Sequence, residues 1–382
     1  MPNLLYLCRL MVYKVIGLMS GSSLDGLDIV YVHLQEGASS IKDSPRKWEF
    51  SILHAACYPY SKEWRDRLAG ARELPAGEYL LLHTAYGQYL GEQVQRFIEE
   101  HRLHYQVQLI ASHGHTTFHS PEHKMTAQLG DGAALAAFTG INVVSDLRAM
   151  DVALGGQGAP IVPVGEKLLL QDYTFFLNLG GIANITVLPE TSAAPILGFD
   201  TGPASCLLDA WAQRHLGVGF DADGKFAASG RIDPALLERM LADPYFHAPP
   251  PKSTGREIFH LRWLQQHLDA REIAPADVQA TLLELTVRTV ADAVRANAPR
   301  ARDVLVCGGG VHNVALMQAM SSALAPMPVR SSAVRGIDPD FVEAMLFAWL
   351  ARERMLGNPA PGVSSVTGAR GPRVLGAIYF GA

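Results

Sequence analysis

The sequence predicts a two-lobed α/β protein, and three observations predict it. An apolar run that breaks at a glycine turn and then resumes occurs at Val15–Val32 and again within Thr174–Gly202. A third run, Val304–Cys307, enters Gly308-Gly309-Gly310 and continues as an apolar helix, Val314–Leu324. Each reads as a buried strand ending in a turn nearly free of side chains, where main-chain N–H groups can approach an anion. The length of 382 residues exceeds one ordinary core and points to two domains.

Bulk properties narrow the class. An apolar fraction of 48% fits a soluble globular protein, and 35 glycines with 23 prolines predict many loops. A net charge of −5 gives no electrostatic reason for a nucleic-acid or membrane-surface partner. Cys8, Cys57, Cys206 and Cys307 are scattered without a CxxC pair, so they read as free thiols in a reducing cytosol. The apolar stretch Leu4–Met19 is interrupted by Arg9 and Lys14 and lacks a cleavage site, which argues against a signal peptide or membrane helix. Residues Met1–Leu10 read as an extension.

Taken in order, the first hairpin has its tip at Gly21, Ser22, Ser23, Leu24, Asp25 and Gly26, with Leu27 and Asp28 opening the returning strand. Hydroxyls and glycines around a turn suit a phosphate, and Asp25 is placed to hold a magnesium ion through water. No GKS or GKT follows, so this is not a Walker loop. Between Ser61 and Arg102 the recurrence of Leu80, Leu81, Tyr86, Leu90, Val94, Phe97 and Ile98 predicts helix. Leu109-Ile110-Ala111 reads as a short strand ending in the polar cluster Ser112–His119. His113, His115, His119 and His123 admit three readings: metal ligands, groups gripping a hydroxylated ligand (with Thr116), or core and surface histidines. No acidic residue or cysteine sits at a partner spacing, which weighs against metal. Gly130–Thr139 reads as a helix of small residues and Ile141–Val144 as a strand. Arg148 follows beside Asp146 and Asp151, which reads as a structural ion pair, but the next glycine loop, with Gln157, suggests backbone approaching a ligand.

In the second half, Phe175-Phe176-Leu177 leads to Gly180-Gly181, Ile182–Leu188 returns, and Ile196–Phe199 delivers Asp200 into Thr201-Gly202-Pro203. A carboxylate there projects at a strand's carboxyl end, where open α/β sheets bind ligands. The competing reading makes Asp200 the cap of a helix at Ser205–His215. Lys252 and Arg256 lie in a proline-stiffened loop and read as solvated charges or as partners of an acidic substrate group. Val278–Ala296 is predicted helical, as is Asp340–Leu356, where Glu343 sits among Phe341, Met345, Leu346, Phe347 and Trp349, either paired or employed. Ser364–Phe380 is read as a glycine-punctuated strand.

Two glycine hairpins and a strand–GGG–helix unit are the parts a two-lobed phosphotransfer fold needs. Together with SHGHTTFH, SDLRAMDVALGGQGAP, LNLGGIANIT, GFDTGP, PKSTGRE, CGGGVHN and VEAMLFAWLA, they resemble the sugar kinase, heat-shock chaperone and actin superfamily. Within it the chain resembles the 1,6-anhydro-N-acetylmuramic acid kinases, from about Val15 onward. The resemblance implies an actin-like, ribonuclease H-like fold with an interdomain active-site cleft that closes over substrate. Residues 12–145 with 365–382 would form the N-terminal lobe and 146–364 the other.

The resemblance also implies roles. Gly21–Asp28 would hold ATP phosphates, Gly180 and Gly181 the second phosphate hairpin, and Gly308–Gly310 the nucleoside. Asp200 would be the general base and Glu343 a sugar contact that orients the water and the ring; His113, Thr116, Arg148, Asp151 and Gln157 would line the sugar site. ATP and Mg²⁺ are the implied cofactors, with a cytoplasmic homodimer acting in cell-wall recycling on a small sugar. The chain departs from the family's frequent CHGQT, with Ser112 and His115, and from its DTGPGN, with Ala204 and Ser205; the latter pair bears on substrate preference.

Overall fold

A computed structural model describes residues 12–21, 24–36, 48–161, 163, 175–188, 196–268, 272–297, 302–360 and 362–381. The chain divides into two units, Met1–Gln171 with Phe341–Ala382, and Asp172–Asp340.

In the first unit, β1 (Val12–Ser20), β2 (Gly26–Glu36) and β3 (Trp48–Pro59) form an antiparallel meander. Then β4 (Leu109–Ser120) runs parallel to β1, β5 (Met125–Leu129) folds back on β4, and β6 (Val143–Ser145) runs parallel to β4. The central strand β1 is buried continuously from Val15 to Ser20, which explains its unbroken apolar character. The 26-residue helix Ala76–His101 turns Tyr86, Leu90, Val94 and Phe97 onto Ile16, Leu18 and Ile29 of the sheet. Burial of each such side chain contributes roughly 1.5–3 kcal/mol.

In the second unit, β7 (Phe175–Leu179), β8 (Ile182–Val187) and β9 (Leu197–Pro203) repeat the meander, while β10 (Val304–Cys307) runs parallel to β7 and β11 (Val329–Ser331) parallel to β10. The helix Pro275–Asn297 buries Leu282, Leu285, Val290 and Val294 in a separate core with Leu177, Ile185 and Phe199. The last strand, β12 (Ala377–Tyr379), pairs antiparallel with β6 in the first unit.

The strand orders are β12-β6-β4-β1-β2-β3 and β11-β10-β7-β8-β9. Without β12 they are the same order, a meander extended by two parallel strands: a duplicated ribonuclease H-like sheet, as in the actin-like fold expected.

Several boundaries differ from the sequence reading. The helix expected over Asp340–Leu356 runs Val342–Met355 and belongs to the first unit, where it packs on β1 and β4. Gly17 explains the close packing: a Cβ there would stand 2.1 Å from the Ala344 carbonyl oxygen, so only glycine lets this helix backbone meet β1. Residues 146–161 also fall in the first unit rather than beyond its edge. The tail expected as strand over Ser364–Phe380 is a short helix, Val363–Thr367, followed by β12. The polar cluster after Ala111 lies within β4, not after it.

Candidate active site

Asp200 lies in β9 and is 6% exposed. The loop before Arg256 closes over it: the Thr254 main-chain N–H donates to Oδ2 at 2.9 Å, and the Asp200 N–H donates to the Lys252 carbonyl at 3.2 Å. The Tyr245 hydroxyl donates to the Asp200 carbonyl at 2.7 Å. Burial, then the Asp200 and Glu257 charges, push the Tyr245 hydroxyl above its ordinary range, so it stays a donor. Lys252 donates to the Tyr245 carbonyl at 3.0 Å and sits 4.7 Å from the Tyr245 ring centroid. Burial lowers its ammonium from the ordinary range, while the Asp200 charge opposes that. The capping alternative does not hold. The helix after β9, Ser205–Leu216, has no side-chain cap, and the N–H groups of Ala204, Ser205 and Cys206 donate to the carbonyls of Gly181, Gly180 and Gly181. The second hairpin therefore caps the helix with its own backbone and leaves Asp200 to other work.

The three glycines after β10 divide by role. A Cβ on Gly308 would stand 2.3 Å from Asn178 Oδ1, and one on Gly310 would stand 2.6 Å from the Leu179 Cβ. Both are glycine because the end of β7 crosses them closely, and Gly308 also has φ 83°. Gly309 would meet nothing within 4 Å, and Gly180 only ordinary contacts at 3.6 Å and beyond. Those two positions have open space before them.

In the first hairpin, Ser22 and Ser23 lie outside the described residues. Gly21 is partly buried and its carbonyl accepts from the Leu24 N–H at 3.5 Å, with Leu24 at φ 59°. Asp25 is exposed and its Oδ1 accepts from the Gly26 N–H at 3.0 Å. Gly26 and Leu27 serve packing: a Cβ on Gly26 would stand 2.6 Å from Cys57 Sγ, and Leu27 is fully buried. Asp28 is half-buried on β2. Among the described residues no group of three His, Cys, Asp or Glu side chains gathers to hold a metal.

The predicted sugar residues of the first unit form one network, except Thr116. Arg148 Nε donates to His113 Nε2 at 2.8 Å, and His113 Nδ1 donates to the Gly114 carbonyl at 2.9 Å, so the ring is neutral. Burial, then the Arg148 guanidinium, holds it well below the ordinary histidine range. Arg148 also donates to the Gly158 carbonyl at 2.6 Å. Asp151 holds the loop: its oxygens accept from the Gly158 N–H at 2.8 Å and the Thr367 hydroxyl at 2.7 Å. A Cβ on Gly156 would stand 2.2 Å from Asp151 Oδ2, which explains that glycine. The Gln157 N–H is fixed to the Thr367 carbonyl at 2.8 Å. Thr116 is exposed and bonds Gln128 at 3.3 Å. His115 instead contacts Ser20 Oγ at 3.0 Å, because Gly114 at φ 73° breaks the strand's alternation.

A family model described as anhydro-N-acetylmuramic acid kinase matches residues 13–381. The chain belongs to the anhydro-N-acetylmuramic acid kinase family. It is accordingly an enzyme of the kinase class. Proteins of that name from Xanthomonas campestris pv. campestris (strain 8004) and Chromohalobacter salexigens are each 46% identical to it. The first aligns over 95% of this chain and 96% of its own, the second over 96% and 99%. Among solved structures, the activator of the 2-hydroxyisocaproyl-CoA dehydratase from Clostridium difficile with bound ADPNP is a distant likeness. Its TM-score is 0.43 at 12% identity, over 88% of this chain and 94% of that one.

Within this family frame, the departure at Ala204 and Ser205 has a structural explanation. Both meet the second hairpin through main-chain N–H groups, so their side chains do not set that contact. His119, named with the other histidines in the sequence, has a defined place, and one residue escaped the sequence reading. His119 bonds Thr126 Oγ1 at 3.1 Å beside the Gly158 loop and is held down at about 4 by burial, then by Arg148. Asn184 is the cross-strand partner of Asp200, and strand registers are not written in residue spacing across a loop.

Proposed function

We propose that this enzyme opens the 1,6-anhydro bridge of anhydro-N-acetylmuramic acid with water and phosphorylates oxygen 6, giving N-acetylmuramic acid 6-phosphate and ADP. The observation that carries this is Asp200, a buried carboxylate whose Oδ2 is fixed by a main-chain N–H while the neighbouring helix is capped by others. The substrate is an internal acetal with no free 6-hydroxyl. Asp200 takes a proton from water as its oxygen bonds to carbon 1, and the bond from carbon 1 to oxygen 6 breaks. Oxygen 6 leaves with the electron pair and accepts the γ-phosphoryl group of ATP, the co-substrate. General-base assistance contributes typically about 10²–10⁴-fold.

The open positions at Gly309 and Gly180 suit a nucleotide lying against backbone, and Gly308 and Gly310 hold that turn in place. Magnesium would travel with the nucleotide, neutralising phosphate charge, with Asp25 reaching it through water. His113 and Arg148 would hydrogen-bond the sugar, Asp151 and Gln157 would shape the loop beside it, and Glu343 would contact the ring. Family membership supports a homodimer in the bacterial cytoplasm, serving cell-wall recycling.

The test is product formed from ATP and anhydro-N-acetylmuramic acid in oxygen-18 water, sampled early and analysed by mass spectrometry against preformed product. Label is expected at carbon 1 and not in the transferred phosphate. Phosphorylation of some other sugar's free hydroxyl, with no solvent oxygen incorporated, would replace this reading.

A further inference from the structure

The ladder that carries Asp200 sets a second polar side chain against it. Asn184 on β8 is the direct partner of Asp200 on β9, and Asn178 on β7 is the partner of Asn184. Directly opposed residues on antiparallel strands share a face, with Cβ atoms about 4.5–5.5 Å apart. The adjacent row, Leu177, Ile185 and Phe199, enters the core of the second unit, so the row Asn178, Asn184 and Asp200 turns to the opposite face. The register slips between Ala183 and Asn184: Ala183 faces Gly202 while Asn184 faces Asp200, leaving Thr201 as the extra residue. Bulges of this kind recur beside active sites, where they re-aim a side chain. Asn184 is half-buried, and among the described residues its carboxamide has no hydrogen-bond partner.

We infer that Asn184 and Asp200 together hold the attacking water. The amide oxygen of Asn184 accepts one O–H and the Asp200 carboxylate accepts the other. Two acceptors lying about 2.8 Å from one water oxygen, along its two O–H bonds, stand about 4.4 Å apart, a separation the cross-strand spacing supplies. With both O–H bonds engaged, a lone pair of the water faces carbon 1. As the new bond to carbon 1 forms, the proton facing Asp200 passes to the carboxylate. The other proton stays on the new hydroxyl, still donated to Asn184, and the bond to oxygen 6 breaks as described for the phosphoryl transfer. The inference rests on Asp200 being the general base.

Two substitutions test it. Asn184→Leu keeps the branched skeleton and removes the acceptor; Asn184→Asp keeps an acceptor in the same place and adds a charge. Asn184→Leu is expected to lower kcat roughly 10- to 100-fold with KM for ATP unchanged. Asn184→Asp is expected to keep substantial activity at high pH. Its acidic limb of kcat/KM moves up by about one pH unit or more, because two carboxylates sharing a site resist ionising together. A purely structural role moves that limb as well, since the two side chains are neighbours either way, but leaves kcat of Asn184→Leu at the wild-type level. Should Asn184→Leu fail to fold by circular dichroism, Asn184→Ala, which removes the acceptor without added bulk, is read in its place. Wild-type kcat in a folded variant without the acceptor overturns the inference. Asp200→Asn, measured alongside, separates the two levels. If it stays active, the base assignment and this inference fall together; if it is dead while the Asn184 variants behave as wild type, only this inference falls.

Discussion

At the scale of single residues, the site is decided by which polar groups are already engaged within the protein. The Asp200 carboxylate is fixed through Oδ2 by Thr254, and its main chain is held by Lys252 and Tyr245. Asp200→Asn keeps the shape and removes the proposed base. Turnover is expected to fall by about 10²–10⁴-fold, with ATP affinity by calorimetry nearly unchanged; near-normal turnover would remove Asp200 from the mechanism. His119 supplies a pH prediction. Its folded value of about 4 lies below the ordinary value of about 6.5, so the unfolded chain binds the proton first as pH falls. The resulting stability is complete above about pH 6.5 and is lost as pH falls toward 4. Over that window the Tm of His119→Gln should fall less than that of the wild type. Parallel curves would show that His119 does not carry the effect.

At the scale of elements, the turn Gly308–Gly310 joins two packing glycines to an open one, and the two kinds respond differently to substitution. Gly310→Ala drives a Cβ toward Leu179 and should lower Tm, since overpacking typically costs about 1–3 kcal/mol. Gly309→Val meets open space, so Tm should hold while ATP affinity drops. A stable Gly309→Val protein with wild-type affinity would put the nucleoside elsewhere. Gly17 works at the same scale in the first unit. It admits the helix Val342–Met355 to β1, and Gly17→Ala is expected to loosen that helix and destabilise the fold.

At the scale of the whole molecule, connectivity decides what folds alone. The second unit is one continuous stretch, Asp172–Asp340, with its own five-stranded sheet and core. The first is assembled from two stretches: β12 pairs with β6, and the helix Val342–Met355 packs on β1. Residues 172–340 expressed separately should unfold cooperatively in urea, whereas 1–171 should not until 341–382 is supplied. A cooperative transition in 1–171 alone would mean that the returning segment is dispensable for that core.

The sequence by itself determined the class of the protein. The apolar runs around Gly180-Gly181, Ser20–Gly26 and Gly308–Gly310 are local signals, because strand burial and glycine turns depend on near neighbours in the chain. Asp200 stood out for the same reason: it ends a short apolar run. What only the tertiary structure decided is long-range. Helix Val342–Met355 reads as a continuation of the second half, and only its tertiary contacts, among them the close approach at Gly17 some 330 residues away, show where it packs. The bond from the Thr367 hydroxyl to Asp151 joins segments 216 residues apart. Asn184 was invisible because the partner of a strand residue depends on register, and here on a bulge at Thr201. Hydrophobic periodicity is a property of the chain, whereas the pairing of polar groups is a property of the folded surface on which distant segments meet.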